Sequence, residues 1–385
     1  MSETPTVAEQ AAAPPPPDGP SSDEQRPGSQ PLAFLLTHQS GVVIVVALVI
    51  ALVVGAVLIR LQGVAPLYAY ETLIKQALFV PGGLTRTLQK TAPLVLTGLA
   101  VVIPLRVGLF NIGGQGQLIF GAMFGAWVAY AAGDFGLLGA ALGMVAGIAA
   151  GAFIGFIAGV LKAKRGVHEV ITTIMLNYIA AGITWWLVTG PMQAESSKTS
   201  GIPQTELIPE SAQVGAIAKI PIGFVIAVVL AVACWWMLSR STLGFRFNTV
   251  GANKHAAGYA GINIARIVTL SMILGGGLAG LAGALEAEGT LYRFEPAVGG
   301  TLGFDGITIA LLARANPLAT IPAAFLVGVL RTGAAGLQFE TGIAPEVVDV
   351  LLAVILLMVS IPVLGKWIFR RRADKVSAAS TSWGN

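Results

Sequence analysis

Residues 41–59 form an unbroken run of 19 residues without a charged side chain, closed by Arg60, and comparable runs recur along the chain. As a helix rising about 1.5 Å per residue, such a run reaches across the roughly 30 Å hydrocarbon core of a bilayer. Nine further runs read as spans: 92–105, 117–132, 136–161, 170–189, 220–238, 267–285, 299–312, 317–330 and 347–364. The expected fold class is all-α, a polytopic membrane helix bundle of about ten transmembrane helices, because a helix satisfies its own backbone hydrogen bonds where no water can. Composition agrees: of 385 residues 55% are hydrophobic and 11% charged, against about 25% charged in an ordinary soluble domain.

The membrane part is expected to run from 41 to 365. Ahead of it, residues 1–40 carry the run Pro14 to Pro17 and five acids against the single Arg26. No core can form there, and no basic n-region or short apolar h-region marks a secretory signal, so the segment reads as a disordered cytoplasmic tail. Residues 366–385 read as a basic cytoplasmic tail. Lys and Arg are unequally shared between the two sets of connections: 15 lie with Arg26, Arg106, 162–165, 240–266, Arg314 and 366–375, and eight lie on the other side. The positive-inside rule then places both termini in the cytoplasm of a multi-pass protein of the bacterial plasma membrane.

The net charge of +4 is an orientation signal rather than a binding face. Clustered cations interleaved with aromatics, which nucleic acid would require, are missing from the sequence. Its one cysteine, Cys234, sits in an apolar run and can form neither an intramolecular disulfide nor a thiolate metal cluster. No G-x-x-x-x-G-K-[ST] motif, zinc-ligand spacing or G-x-S-x-G elbow occurs, which leaves no basis for an ATPase, a metal centre or an acyl-transfer enzyme in this chain.

Two features concern packing. Gly143, Gly147, Gly151, Gly155 and Gly159 recur at every fourth position, clearing one helix face for close approach of another helix. Gly275, Gly277 and Gly280 have dinucleotide-loop spacing but lie in an apolar helix with no preceding strand, so they too read as packing residues. The stretches 92–190 and 267–364 form two similar blocks which, with one span between them, enter the membrane in opposite senses. Inverted pseudo-repeats of this kind belong to transporters.

Polar residues interrupt the apolar sequence at few places. Asn111, Gln115 and Gln117 fall in a Gly-rich break between spans, which is either a surface turn or a lining able to hydrogen-bond a neutral polar solute. Asp305 is either a helix N-cap or an intramembrane acid. Asn177 either bonds a neighbouring helix or lines a path. The connection 239–266 holds an Ala- and Gly-rich stretch, 253–261, that suits a two-turn helix across the cytoplasmic surface, either solvated or docked into a partner's groove.

Taken together, four segments resemble the permease subunits of bacterial ABC importers of the branched-chain amino acid, simple sugar and nucleoside group, most of all the nucleoside permeases. They are GLFNIGGQGQLIFGA (108–122), HEVITTIMLNYIA (168–180), GFRFNTVGANKHAAGYAGIN (244–263) and GFDGITIALLARANP (303–317). The resemblance implies a type II importer permease whose coupling helix, here carried by Gly251, Asn253, Ala256, Ala257, Gly258 and Gly261, seats in a cytoplasmic ABC ATPase subunit that binds the ATP. It also implies a second permease subunit, identical or related, and an extracytoplasmic solute-binding lipoprotein. The permease itself would need no cofactor. Where many relatives carry Glu, this chain has Gln115. On this reading the solute path is lined by Asn111, Gln115, Gln117, Asn177 and Asp305. The rival is a secondary transporter of a small polar solute driven by an ion gradient, and the alternative cargoes are a simple sugar or a branched-chain amino acid.

Overall fold

In the computed structural model of the chain, residues 39–296, 298–354 and 357 are described; the two tails, save residues 39 and 40, and much of the last expected span lie outside them. By its contacts the chain divides after Val43, and the body from Ile44 onward carries the fold. Helix α1 (Gln39–Leu61) is followed by α2 (Pro66–Ile74), which continues into a π turn, Lys75–Phe79. The pair is bent by 113°. Gly63, at φ +85°, takes the left-handed conformation that ends α1, and Pro66 opens α2 in its first turn, where no backbone N–H is needed. Across the bend the Tyr70 hydroxyl donates to the Leu52 carbonyl at 2.6 Å.

The bundle proper comprises α3 (Gly83–Arg106), α4 (Gly114–Ala131), α5 (Leu137–Arg165) and α6 (Glu169–Thr189). After the short α7 (Glu195–Ser200) come α8 (Ile222–Arg240), α9 (Thr242–Ala252), α10 (Lys254–Tyr259) and α11 (Ile264–Glu286), the last prolonged by a π turn, Ala287–Leu291. Two more helices, α12 (Leu302–Leu312) and α13 (Thr320–Thr341), precede a helical stretch over 346–354. A two-residue antiparallel pair, Ala216–Ile217 with Ile220–Pro221, is the one strand pairing among the described residues, so the fold is all-α as expected.

The span count differs from the expected ten. Among the described residues six helices are long and apolar enough to cross a membrane (α3, α5, α6, α8, α11 with its π turn, and α13), or seven if α1 and α2 make one broken span. Helix α4 is long enough, but Gln115 and Gln117 in its first turn make it too polar. Helix α12 has 11 residues, about 16 Å, half of a hydrocarbon core. The run 347–364 is only partly described.

Helices α3 and α11 are buried on most sides, whereas α6 and α8 keep most of their surface on the periphery. Glycine sets the central contacts. The α5 stripe lies against α11: an added Cβ at Gly151 would stand 2.6 Å from Gly280 Cα, one at Gly147 2.6 Å from Ala284 Cβ, and one at Gly159 2.8 Å from Thr269 Cα. On its other flank α11 meets α4, where Gly283 backs onto the Leu118 carbonyl and Gly121 onto Gly280. Backbones this close gain dispersion contacts that larger side chains would hold apart, which matters in lipid because helix association there has no hydrophobic drive.

The long connection 190–219 is tied down. Its Thr205 and Ile208 amides donate to the Phe294 and Tyr292 carbonyls at 3.0 and 2.8 Å, and the Val214 amide donates to the Glu288 carbonyl at 3.0 Å. Ile208, Ala212, Phe294 and Val298 form a second small core with Met123 and Val188 beneath it. Gly151→Ala should therefore cost about 1–3 kcal/mol through overpacking against backbone and lower the melting temperature of the detergent-solubilised protein. Gly182→Ala, on α6 with nothing within 4 Å of the added methyl, should leave it unchanged or raise it, since Ala exceeds Gly in helix propensity by about 1 kcal/mol.

Candidate functional site

The break after α3 is a knot of mutually satisfied amides. Asn111 and Gln117 are fully buried and pair reciprocally: Asn111 Nδ2 donates to Gln117 Oε1 at 2.9 Å, and Gln117 Nε2 donates to Asn111 Oδ1 at 3.2 Å. Asn111 also donates to the Ala100 carbonyl and accepts from the Gly113 amide. Asn177 on α6 closes the break from the side, accepting from the Gly116 amide at 2.8 Å and donating to the Ile112 carbonyl at 3.1 Å. Gln115 reaches the segment before α12, where its Nε2 donates to the Gly300 carbonyl at 2.7 Å and its Oε1 accepts from the Gly303 amide at 2.9 Å. Four of the five expected path residues thus come together, and each spends hydrogen-bonding capacity on irregular backbone, as buried amides must.

Asp305 stands apart from this knot. It lies in the first turn of α12 but does not cap it; the N-cap position belongs to Thr301. Its carboxylate faces Arg331 of α13, Oδ2 to Nη2 at 2.6 Å, and the same Nη2 donates to Thr301 Oγ1 at 2.7 Å and lies 3.3 Å from Asp349 Oδ1. One guanidinium therefore joins α12, α13 and the helical stretch over 346–354.

Arg331 also lines a cavity of about 560 Å³ between α3 and α13, roofed by the π turns that follow α2 and α11. Its polar lining includes Gln76, Arg86, Gln89, Lys90, Thr290 and Thr332, with Phe339 on α13 also lining it. Lys90 pairs with the buried Glu286 at 3.0 Å. Glu288, two residues on, is wholly buried against Gly143. None of these residues was among the candidates read from sequence. Arg86, Lys90 and Arg331 count there as loop cations because apolar runs stop at charges, whereas α3 begins nine residues before its apolar run and α13 continues eleven beyond its own. Charged side chains inside such helices face protein or water, not lipid.

The connection 239–266 folds as an elbow of two helices, so α9 is an element that the sequence reading left as loop. Each start is capped: Ser241 Oγ accepts from the Gly244 amide at 3.1 Å, Asn253 Oδ1 from the His255 and Ala256 amides at 2.9 and 3.1 Å, and Asn263 Oδ1 from the Arg266 amide at 3.0 Å. Phe247, Val250 and Ala257 are buried against the bundle, and Gly251 backs onto the Arg106 carbonyl. Asn253, Ala256, Gly258 and Gly261 face outward, beside Phe245 and Tyr259, which is 95% exposed. Arg106 itself donates from Nε to the Ala315 carbonyl at 2.9 Å, so the ends of α3 and α12 and the elbow share one end of the bundle.

Arg331→Leu should destabilise the protein by about 3–5 kcal/mol, the cost of leaving a buried charge without its partner. Combining Asp305→Asn with Arg331→Leu should recover much of that loss, which a double-mutant cycle of melting temperatures reads as coupling.

The permease family described as branched-chain amino acid transport system / permease component matches residues 83–360. The guanosine ABC transporter permease protein NupP of Bacillus subtilis is 36% identical over 321 residues, covering 82% of this chain and 91% of its own. The nucleoside ABC transporter permease protein NupB of Lactococcus lactis is 35% identical over 350 residues, covering 88% and 96%. A glucose ABC transporter permease protein of Haloferax volcanii is 33% identical over 323 residues, covering 81% and 85%. The matched stretch contains the amide knot, the Arg331 ion pairs, the cavity helices and the elbow. The chain belongs to this family: it is a multi-pass membrane permease component of an ABC importer, a transport subunit and not itself an enzyme.

Proposed function

We propose that this permease carries nucleosides inward across the bacterial plasma membrane, with the elbow α9–α10 as the surface on which a cytoplasmic ATPase subunit acts. The observation that carries the reading is the elbow: three side-chain caps hold it rigid, Ala257 seats it, and Tyr259 and Phe245 stand exposed on a face flanked by Arg240, Arg246 and Arg266. Exposed aromatics with no lipid to cover them are what a partner's groove takes up. The positive-inside rule makes this the cytoplasmic end, and with it both termini.

The cavity between α3 and α13 then opens toward the outer half of the membrane. An extracytoplasmic binding protein would deliver solute there, and a second permease subunit, identical or related, would cover the charged face that lipid cannot. Asn111, Gln115, Gln117 and Asn177 hold the irregular backbone at the centre of the path, and Asp305 fixes Arg331 at its wall. Closure of the ATPase subunits on ATP would move the elbow and shift the permease between outward and inward openings. The two inverted halves are the elements that exchange. Nucleoside is preferred to sugar because the relatives at 36% and 35% identity reported above are named for guanosine and nucleoside.

In membrane vesicles holding the full complex, uptake of radiolabelled nucleoside should require ATP and persist with an uncoupler; uptake that survives ATP depletion but stops with the uncoupler would favour an ion-driven carrier. Tyr259→Asp should reduce recovery of the ATPase subunit with the detergent-extracted permease by about tenfold or more, the usual scale for an interface tyrosine. Unchanged recovery and uptake would remove the elbow from the coupling role.

A further inference from the structure

We propose that the cavity between α3 and α13 is a transient binding site for the base of a 6-oxopurine nucleoside, and that Arg86 is the residue that reads that base. The inference rests on the nucleoside reading above and deepens it. At about 560 Å³ the cavity has the size of an ordinary small-molecule site. Its charge is not evenly spent. Lys90 is engaged by Glu286, Arg331 by Asp305 and Asp349, and the Gln76 amide donates to Glu340. Arg86 has no ion-pair or hydrogen-bond partner among the described residues, and neither does the Gln89 amide, though both line the cavity.

An exposed guanidinium near the end of an apolar helix turns away from hydrocarbon, and because Arg86 lines the cavity its unengaged donors are open to a solute there. Its planar fork offers two parallel N–H donors, which suit two acceptors side by side in one plane. A 6-oxopurine presents such a pair at O6 and N7, whereas adenine places an N6 donor beside N7 and meets a cation with the wrong polarity. Phe339, 94% exposed and lining the same cavity, supplies a flat apolar face for a heterocycle. The unengaged guanidinium fork and the aromatic face together describe a planar base with an acceptor edge.

The test uses the complete importer, reconstituted in liposomes with its ATPase, partner permease and binding protein. Initial rates of ATP-driven uptake are compared for guanosine, inosine and adenosine. Arg86→Gln should lower guanosine and inosine uptake by about tenfold and adenosine uptake by less than about twofold, a discrimination of the size that one bidentate contact supplies. Arg86→Lys, which keeps the charge but not the fork, should fail to restore the difference. Equal losses for all three, or none, would overturn the inference. If the unaltered complex imports glucose and no nucleoside, the nucleoside reading falls and this inference with it; if it imports nucleosides without regard to Arg86, the inference alone falls. Should the variants not assemble, photolabelling of the unaltered complex with 8-azidoguanosine decides: adducts on residues 76–90 or 331–339 support the site, and adducts confined to the binding protein refute it.

Discussion

Everything in this bundle hangs on how closely the backbones of α5 and α11 approach. In lipid the apolar surface of one helix gains little by meeting another, so contact must come from shape, and here shape comes from what is missing: a file of hydrogens where side chains would stand. Because Gly276 and Gly280 answer Gly151 and Gly155 from the facing helix, α11 can also accept α4 on its other flank. The three helices then form a slab with no loose filling. The buried α3 and the half-length α12 rest on it, and the amide knot is pinned at its edge.

That slab explains where irregular backbone is tolerated. The break before α4 and the approach to α12 both expose carbonyls and amides at membrane depth, and both are answered by amide side chains whose own positions are fixed by packed helices. Gln115 accepts and donates at once on the α12 approach. A carboxylate in its place would accept from the Gly303 amide but would face the Gly300 carbonyl with no proton to give, so an amide is the neutral choice for this particular pair of backbone groups.

Sequence reading reached the fold class, the glycine face, the amide break and the short surface helix, because each leaves a periodic or compositional trace. It misplaced charge relative to the helices, for one physical reason. Apolar runs end where charges begin, but helices do not: α3 and α13 continue through Arg86, Lys90 and Arg331, whose charges are met by acids or a polar cavity contributed by distant segments. The linear sequence carries no sign that residue 90 meets residue 286, or 305 meets 331; those meetings follow from the three-dimensional packing alone. Asp305 likewise carries a capping residue's local signature, yet its partner lies on another helix.

Helix α3 has a property that emerges only when its two ends are considered together. Its last turn is pressed on by Gly251 of the elbow, and its first turns carry Arg86, Gln89 and Lys90 into the cavity wall. Twenty-four residues separate these ends, about 36 Å of continuous helix. A displacement at one face of the membrane therefore meets the other face through a single strut rather than a relay of side chains. The strut is interrupted at Pro93 and Pro104, each of which removes a backbone hydrogen bond. Those two positions are where it can flex, and they divide it into a short foot under the elbow, a central shaft, and a head in the cavity.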